Sequence, residues 1–173
     1  MDSLNDVIKE MRLGNYDRFP LFYEETHRKV FYIALAVLGE EEATKDIVQD
    51  TYLRFISSLS RFEEGSNPYA YLATIARNLA YDHLDKRKRE TSFDEAIGSE
   101  EDIGSKIDYH GLDEVKRLLE PLNESEREIV VLHVIDGLKF REIASVVDKK
   151  LSTVLVTYNR AIKKMRRKEG TSQ

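Results

Sequence analysis

Phe140-Arg141-Glu142-Ile143-Ala144-Ser145-Val146-Val147 is followed by Asp148-Lys149-Lys150 and then by Leu151-Ser152-Thr153-Val154-Leu155-Val156-Thr157-Tyr158. A short amphipathic run, a tight connection and a second run of helical period make a helix-turn-helix pattern. Residues spaced 100° apart from Leu151 put Leu155, Tyr158, Ile162 and Met165 on one inward face. The opposite face carries Ser152, Thr153, Val156, Thr157, Arg160, Lys163 and Lys164. Its early residues suit base edges, Val156 suits thymine methyl groups, and the later cations suit phosphates. A solvated helix whose cations complement its own dipole is the plain alternative. Ser152 or Thr153 is the expected cap.

Upstream of this motif the period is again helical, and no alternating segment is long enough to argue for a strand. Helices are expected over residues 3–11, 18–38, 41–59, 68–87, 112–119 and 125–135, besides the two of the motif. Pro20 fits the first turn of the second helix, where a missing N–H is harmless. Residues 90–111 contain Ser92, Gly98, Ser99, Gly104 and Ser105, with little apolar content. They read as a flexible acidic linker, too long for an ordinary connection inside a compact domain. The expected architecture is all-α: a four-helix lobe at 1–89, the linker at 90–111 and a helix-turn-helix lobe at 112–173.

Charge follows this division. Of 173 residues, 32 are acidic and 27 basic, for a net charge of −5. Residues 1–85 carry −6, residues 86–89 +4, residues 90–111 −6 and residues 112–173 +3. Lys86-Arg87-Lys88-Arg89 and the stretch from Arg160 to Lys168 are thus cationic islands in an acidic background, so the net charge does not exclude a nucleic-acid partner. The chain has no cysteine, which excludes disulfide scaffolds, thiolate zinc sites and cysteine nucleophiles. The longest apolar stretch, Val30 to Leu38, is too short to span a bilayer. Asp2, Asp6 and Glu10 near the start do not suit a secretory signal. A cytoplasmic protein is expected.

Two more faces carry candidate chemistry. On the fourth helix Leu72, Ile75, Ala76, Leu79 and His83 should be buried. Tyr71, Thr74, Arg77, Asn78, Tyr81 and Asp85 should point outward, ahead of Lys86, Arg87, Lys88 and Arg89. Aromatics interleaved with donors and followed by a cationic track suit unstacked bases on a phosphate-bound strand, with a solvated face as the alternative. On the third helix Val48, Tyr52, Phe55, Ile56 and Leu59 form a core stripe. Asp46, Gln49, Asp50 and Leu53 lie outward, a face that suits a basic partner helix or simply solvent. His27, His83, His110 and His133 share no ligand spacing, and there is no Gly-rich phosphate loop or serine nucleophile elbow. No catalytic residue, metal or cofactor is expected.

The stretch Glu42-Ala43-Thr44-Lys45-Asp46-Ile47-Val48-Gln49-Asp50-Thr51-Tyr52-Leu53-Arg54-Phe55, with Tyr71-Leu72-Ala73-Thr74-Ile75-Ala76-Arg77-Asn78 and Asp82, resembles region 2 of bacterial sigma factors of the extracytoplasmic function group. Leu122 to Glu128, Asp136 to Ala144 and Arg160-Ala161 resemble their region 4. The resemblance implies a non-catalytic, dissociable subunit of RNA polymerase that recognises and opens promoter DNA. It implies that Asp46, Gln49, Asp50 and Leu53 grip the clamp coiled coil of core polymerase, and that region 4 meets the flap. It places Asn78, flanked by Arg77 and Tyr71, at a flipped base of the minus-ten element. It also places Ser152, Thr153, Val156, Thr157 and Arg160 in the major groove of the minus-thirty-five element. An anti-sigma partner is common in the family, and membrane contact is expected only through such a partner. Tyr71 stands where tryptophan is usual, and Ser152 where glycine is. Leu155 and Thr157 stand where basic residues are usual; with Leu155 projected inward, Thr157 is the expected loss at the DNA. A stand-alone operator-binding regulator and an RNA-binding helical adapter are the competing functions.

Overall fold

A computed structural model of the chain describes residues 3–91, 109 and 111–170, all of its regular elements helical. The first lobe holds α1 (Leu4–Arg12), α2 (Phe19–Leu38), α3 (Glu41–Ser57), a 3-10 turn (Leu59–Arg61) and α4 (Pro68–Thr91). The second holds α5 (Leu112–Leu119), α6 (Glu124–Val130), α7 (Phe140–Val146) and α8 (Leu151–Gly170). Most of the linker expected at 90–111 lies outside the described residues, although its first two residues continue α4.

Local chemistry sets the boundaries. Ser3 and Asp6 form a reciprocal capping box at α1, and Asn123 and Glu126 form another at α6. Glu126 also accepts from Lys164 on α8 at 2.8 Å, which ties the capped end of α6 to the last helix. Gly39 ends α2 at φ +70°, a left-handed conformation that glycine adopts without steric cost. In the helix-turn-helix connection Asp148 takes φ +51°, which Asp tolerates better than a β-branched residue does. The expected serine or threonine cap of α8 is corrected: Lys150 O accepts from the Val154 N–H, so Ser152 and Thr153 lie inside the first turn.

The core of the first lobe is aromatic. Phe22 stacks on Phe55 at 5.0 Å, and the Thr26 hydroxyl and Tyr52 OH share a buried 2.6 Å hydrogen bond. Burial pushes the Tyr52 phenol far above its ordinary range. Val30 to Val37 are all buried, so the C-terminal half of α2 is apolar all round and is covered on several sides. Within its own lobe α3 and α4 cover it; from the other lobe α6 and the π turn at Val131–Ile135 do so. The two lobes therefore share one continuous apolar core.

Asp136, in that seam, is buried, and its Oδ1 lacks a hydrogen-bond partner. Burial holds its carboxyl well above the usual 3.8, opposed by the charge of Lys29 on α2. The folded state thus binds this proton more tightly than the unfolded chain does. Stability from the group is full below about pH 4 and is lost as pH rises toward the folded value. Replacing Asp136 with asparagine is expected to raise the melting temperature more at pH 8 than at pH 5, as thermal denaturation at the two pH values will show.

Candidate nucleic-acid interface

Asp46, Gln49, Asp50 and Leu53 are all exposed on α3, and their spacing aligns them along one stripe. The opposite side of α3 is held down by Ile47, Val48, Thr51, Tyr52 and Phe55. Leu53 is 68% exposed, so a large apolar side chain stands uncovered in an acidic surround.

On α4 the buried stripe is Leu72, Ala73, Ala76 and Ala80. Ile75, Leu79 and His83 are only partly buried, which corrects the expectation of a core histidine. Small alanines let α4 lie close to α2 and α3, so the narrow contact leaves its flanks partly open. Asn78 is exposed. Tyr71 is half-buried; its hydroxyl donates to Ser58 O at 3.2 Å and Ser58 Oγ at 3.0 Å, and its ring meets Phe62 edge-on at 5.3 Å. An aromatic side chain is thereby fixed on the same face of α4 as Asn78, two turns away. Lys86, Arg87, Lys88 and Arg89 are exposed; Arg87 reaches Glu40 at 2.8 Å and Lys86 reaches Glu90 at 3.8 Å.

Arg77 and Tyr81, expected to face outward, turn instead onto α6. Arg77 Nε donates to Glu128 Oε2 at 2.6 Å, and the single Tyr81 hydroxyl proton is shared between Glu124 Oε1, at 2.5 Å, and Glu128 Oε1. The Arg77 guanidinium also lies 4.7 Å from the centre of the Tyr81 ring. Burial, and then the two neighbouring carboxylates, push the Tyr81 phenol far up, so it remains a donor. Glu124 and Glu128 went unread in the sequence. Their four-residue spacing, matched to that of Arg77 and Tyr81, is the signal that pairs them.

On α8 Ser152, Thr153, Val156, Arg160 and Lys163 are exposed, Thr157 is half-buried, and Lys164 is taken by Glu126. The inward anchors are Val154 and Ala161, with Tyr158 packed against Phe140 and His133. Leu155 is 38% exposed, against the expectation that it faces inward. The helix touches its neighbours along a narrow line through positions 154 and 161, and Leu155 falls a step outside that line. Leu155 and Val156 thus form an outward apolar pair beside the polar first turn. Among the described residues no cluster of three or more His, Cys, Asp or Glu side chains is arranged to hold a metal ion, and no helix is long and apolar enough to cross a membrane.

The model of sigma-70 region 2 matches residues 22–90, and that of sigma-70 region 4 matches residues 112–165; together the two spans take in most of the chain. The ECF RNA polymerase sigma factor EcfG of Rhodopseudomonas palustris is 28% identical over 137 residues, which cover 76% of this chain and 74% of that protein. SigX of Bacillus subtilis, also an ECF RNA polymerase sigma factor, is 23% identical over 163 residues, covering 87% of this chain and 83% of its own. Among solved structures, the sigma factor RpoE of Bartonella quintana, crystallised with the anti-sigma factor NepR, gives a TM-score of 0.70 at 24% identity. That alignment covers 86% of this chain and 94% of the other, so the likeness in fold takes in both lobes.

Proposed function

The chain belongs to the sigma-70 family as a sigma factor of the extracytoplasmic function group, and on that premise we propose how its surfaces divide the work of promoter recognition. It binds core RNA polymerase, directs the enzyme to particular promoters and promotes their melting, without catalysing a reaction itself. The Asp46, Gln49, Asp50 and Leu53 stripe docks on the clamp coiled coil, and region 4 docks on the flap. Control by a separate anti-sigma protein and a cytoplasmic location complete the proposal. One observation carries the docking assignment: an exposed leucine set in an acidic stripe, which no other part of the described chain covers.

Polymerase alone grips DNA mostly through phosphates, a contribution that does not distinguish sequences. Two readers fixed on the enzyme convert the second contact into an intramolecular one, so weak individual affinities combine. On α8, Ser152, Thr153, Val156, Thr157 and Arg160 enter the major groove of the minus-thirty-five element, with Leu155 adding apolar surface and Lys163 a phosphate contact. Lys164, tied to Glu126, contributes mainly to the fold. On α4, Asn78 reads a flipped minus-ten base against Tyr71, while Lys86, Arg87, Lys88 and Arg89 hold the strand.

Unstacking costs on the order of a few kcal/mol per step, least at flexible steps, and capture of a displaced base returns about 1–3 kcal/mol. Because capture occurs only on separated strands, it favours the open complex over the closed one. Asn78→Ala is therefore expected to lower the rate of opening by about tenfold with duplex binding nearly unchanged, a split readable by permanganate footprinting beside a filter-binding assay. Transcription in vitro with core polymerase on a promoter library, followed by start-site mapping, tests the whole reading. Transcripts that need the chain and share two upstream elements support it; promoter-specific binding without polymerase would favour a stand-alone regulator.

A further inference from the structure

Arg77 and Tyr81, which lie on the strand-capturing helix beside Asn78, are already engaged by carboxylates of the other lobe. The Arg77 and Glu128 side chains are 17% and 3% exposed, so this ion pair is largely shielded from water. It does not stand alone. Lys29 Nζ donates to Asp136 O at 3.0 Å, Asn67 Nδ2 donates to Glu142 Oε1 at 2.9 Å, and Lys116 meets Glu41 at 3.1 Å. Tyr109, immediately before region 4, stacks on Phe31 of α2 at 3.7 Å. Polar contacts across the seam therefore flank a shared apolar core, and the two lobes are held together at several points.

The geometry of the acidic pair is specific. Glu124 and Glu128 are one helical turn apart on α6, and they face Arg77 and Tyr81, one turn apart on α4. A guanidinium and a phenol presented this way are donors suited to the anionic oxygens of a nucleic-acid strand. In the structure the Arg77 Nε–H and the Tyr81 hydroxyl are taken by carboxylate oxygens.

We propose that Glu124 and Glu128 make region 4 an internal competitor for the minus-ten strand, docking on region 2 so that Arg77 and Tyr81 are withheld from DNA until the lobes part. The proposal rests on the reading of α4 as the strand-capturing helix. With α6 lying against this face, the Arg77 Nε–H and the Tyr81 hydroxyl are not offered to a strand while they bind the carboxylates, so closure and capture compete. The α3 stripe remains exposed in the closed form. Polymerase can therefore engage the closed chain first and hold region 2 while region 4 leaves for its own docking site. Free chain is then silent on DNA, and opening is confined to the enzyme.

Because the chain has no native cysteine, donor and acceptor dyes can be placed on Ser60→Cys and Arg166→Cys of the full-length protein, one in each lobe. Energy transfer is compared for this parent and for Glu124→Gln with Glu128→Gln, alongside binding of a short fluorescent single-stranded DNA. The glutamine pair is expected to lower transfer and to raise strand affinity at least about tenfold, with helical content unchanged. Arg77→Glu alone should also lower transfer, and adding Glu128→Arg should restore it. Transfer unchanged in every variant would overturn the latch and leave the reading of α4 intact. Transfer that falls with no gain in strand affinity would overturn the competition; if Asn78→Ala in the glutamine background is also without effect on that affinity, the reading of α4 fails with it.

Discussion

Asp50→Lys combined with Leu53→Ala is expected to weaken association with core RNA polymerase by at least about a hundredfold while leaving the chain folded. Leu53 is 68% exposed, so its truncation removes little from the free protein but forfeits its burial in the complex, about 1–2 kcal/mol. Reversing Asp50 against a basic docking helix exchanges attraction for repulsion, a further ~2 kcal/mol or more. Together these amount to ~3–4 kcal/mol, two to three orders of magnitude in affinity. Both side chains lie on the solvent face of α3, where substitutions shift stability by about 0.5 kcal/mol or less. Fluorescence anisotropy of labelled chain titrated with core polymerase reads the loss, and a thermal melt checks the fold. Affinity within about threefold of the parent would remove α3 from the docking surface.

Phe22→Ala is expected to produce the largest loss of stability, about 3–5 kcal/mol. Phe22 is fully buried and stacks on Phe55 with planes 5° apart, at the junction of α2 and α3. Its removal leaves a cavity that the Thr26–Tyr52 hydrogen bond, one turn away, makes hard to close without breaking polar contacts. Domain stabilities of about 5–15 kcal/mol leave little reserve after such a loss. Phe22→Leu, which keeps most of the volume, should lose far less. Differential scanning calorimetry separates these outcomes; equal melting temperatures for Phe22→Ala and parent would contradict the packing described for the first lobe. The functional consequence follows from position, since α3 and α4 both rest on this core and both present their candidate binding faces from it.

Much of the helical layout was legible because each helix has a buried face that recurs with the helical period. The stripe Val48, Tyr52, Phe55 identified the inner side of α3, and the outward placement of Asp46, Gln49, Asp50 and Leu53 followed from it. Periodicity assigns a face to the interior without saying what covers it. Arg77 and Tyr81 illustrate the limit: both lie off the buried stripe of α4, yet α6 of the other lobe covers them. The clue lay in Val30 to Leu38, nine apolar residues in succession, more than a one-sided surface helix needs. Such a run calls for neighbours on several sides, and region 4 supplies part of them. Leu155 was misplaced for a different reason. On a helix anchored chiefly at Val154 and Ala161, the choice of starting residue decides which neighbour a projection turns inward. Glu126 shows a third limit: it closes the capping box of α6 and also accepts from Lys164, a cation expected on the DNA-facing side, and helical period does not reveal that pairing.

Purified core RNA polymerase titrated into fluorescently labelled chain, with no DNA present, is the most direct measurement of the central claim. Saturable one-to-one binding, competed by unlabelled parent and not by the Asp50→Lys, Leu53→Ala double variant, is the result predicted. No association with the enzyme, together with tight sequence-specific binding of promoter duplex by the chain alone, would contradict it.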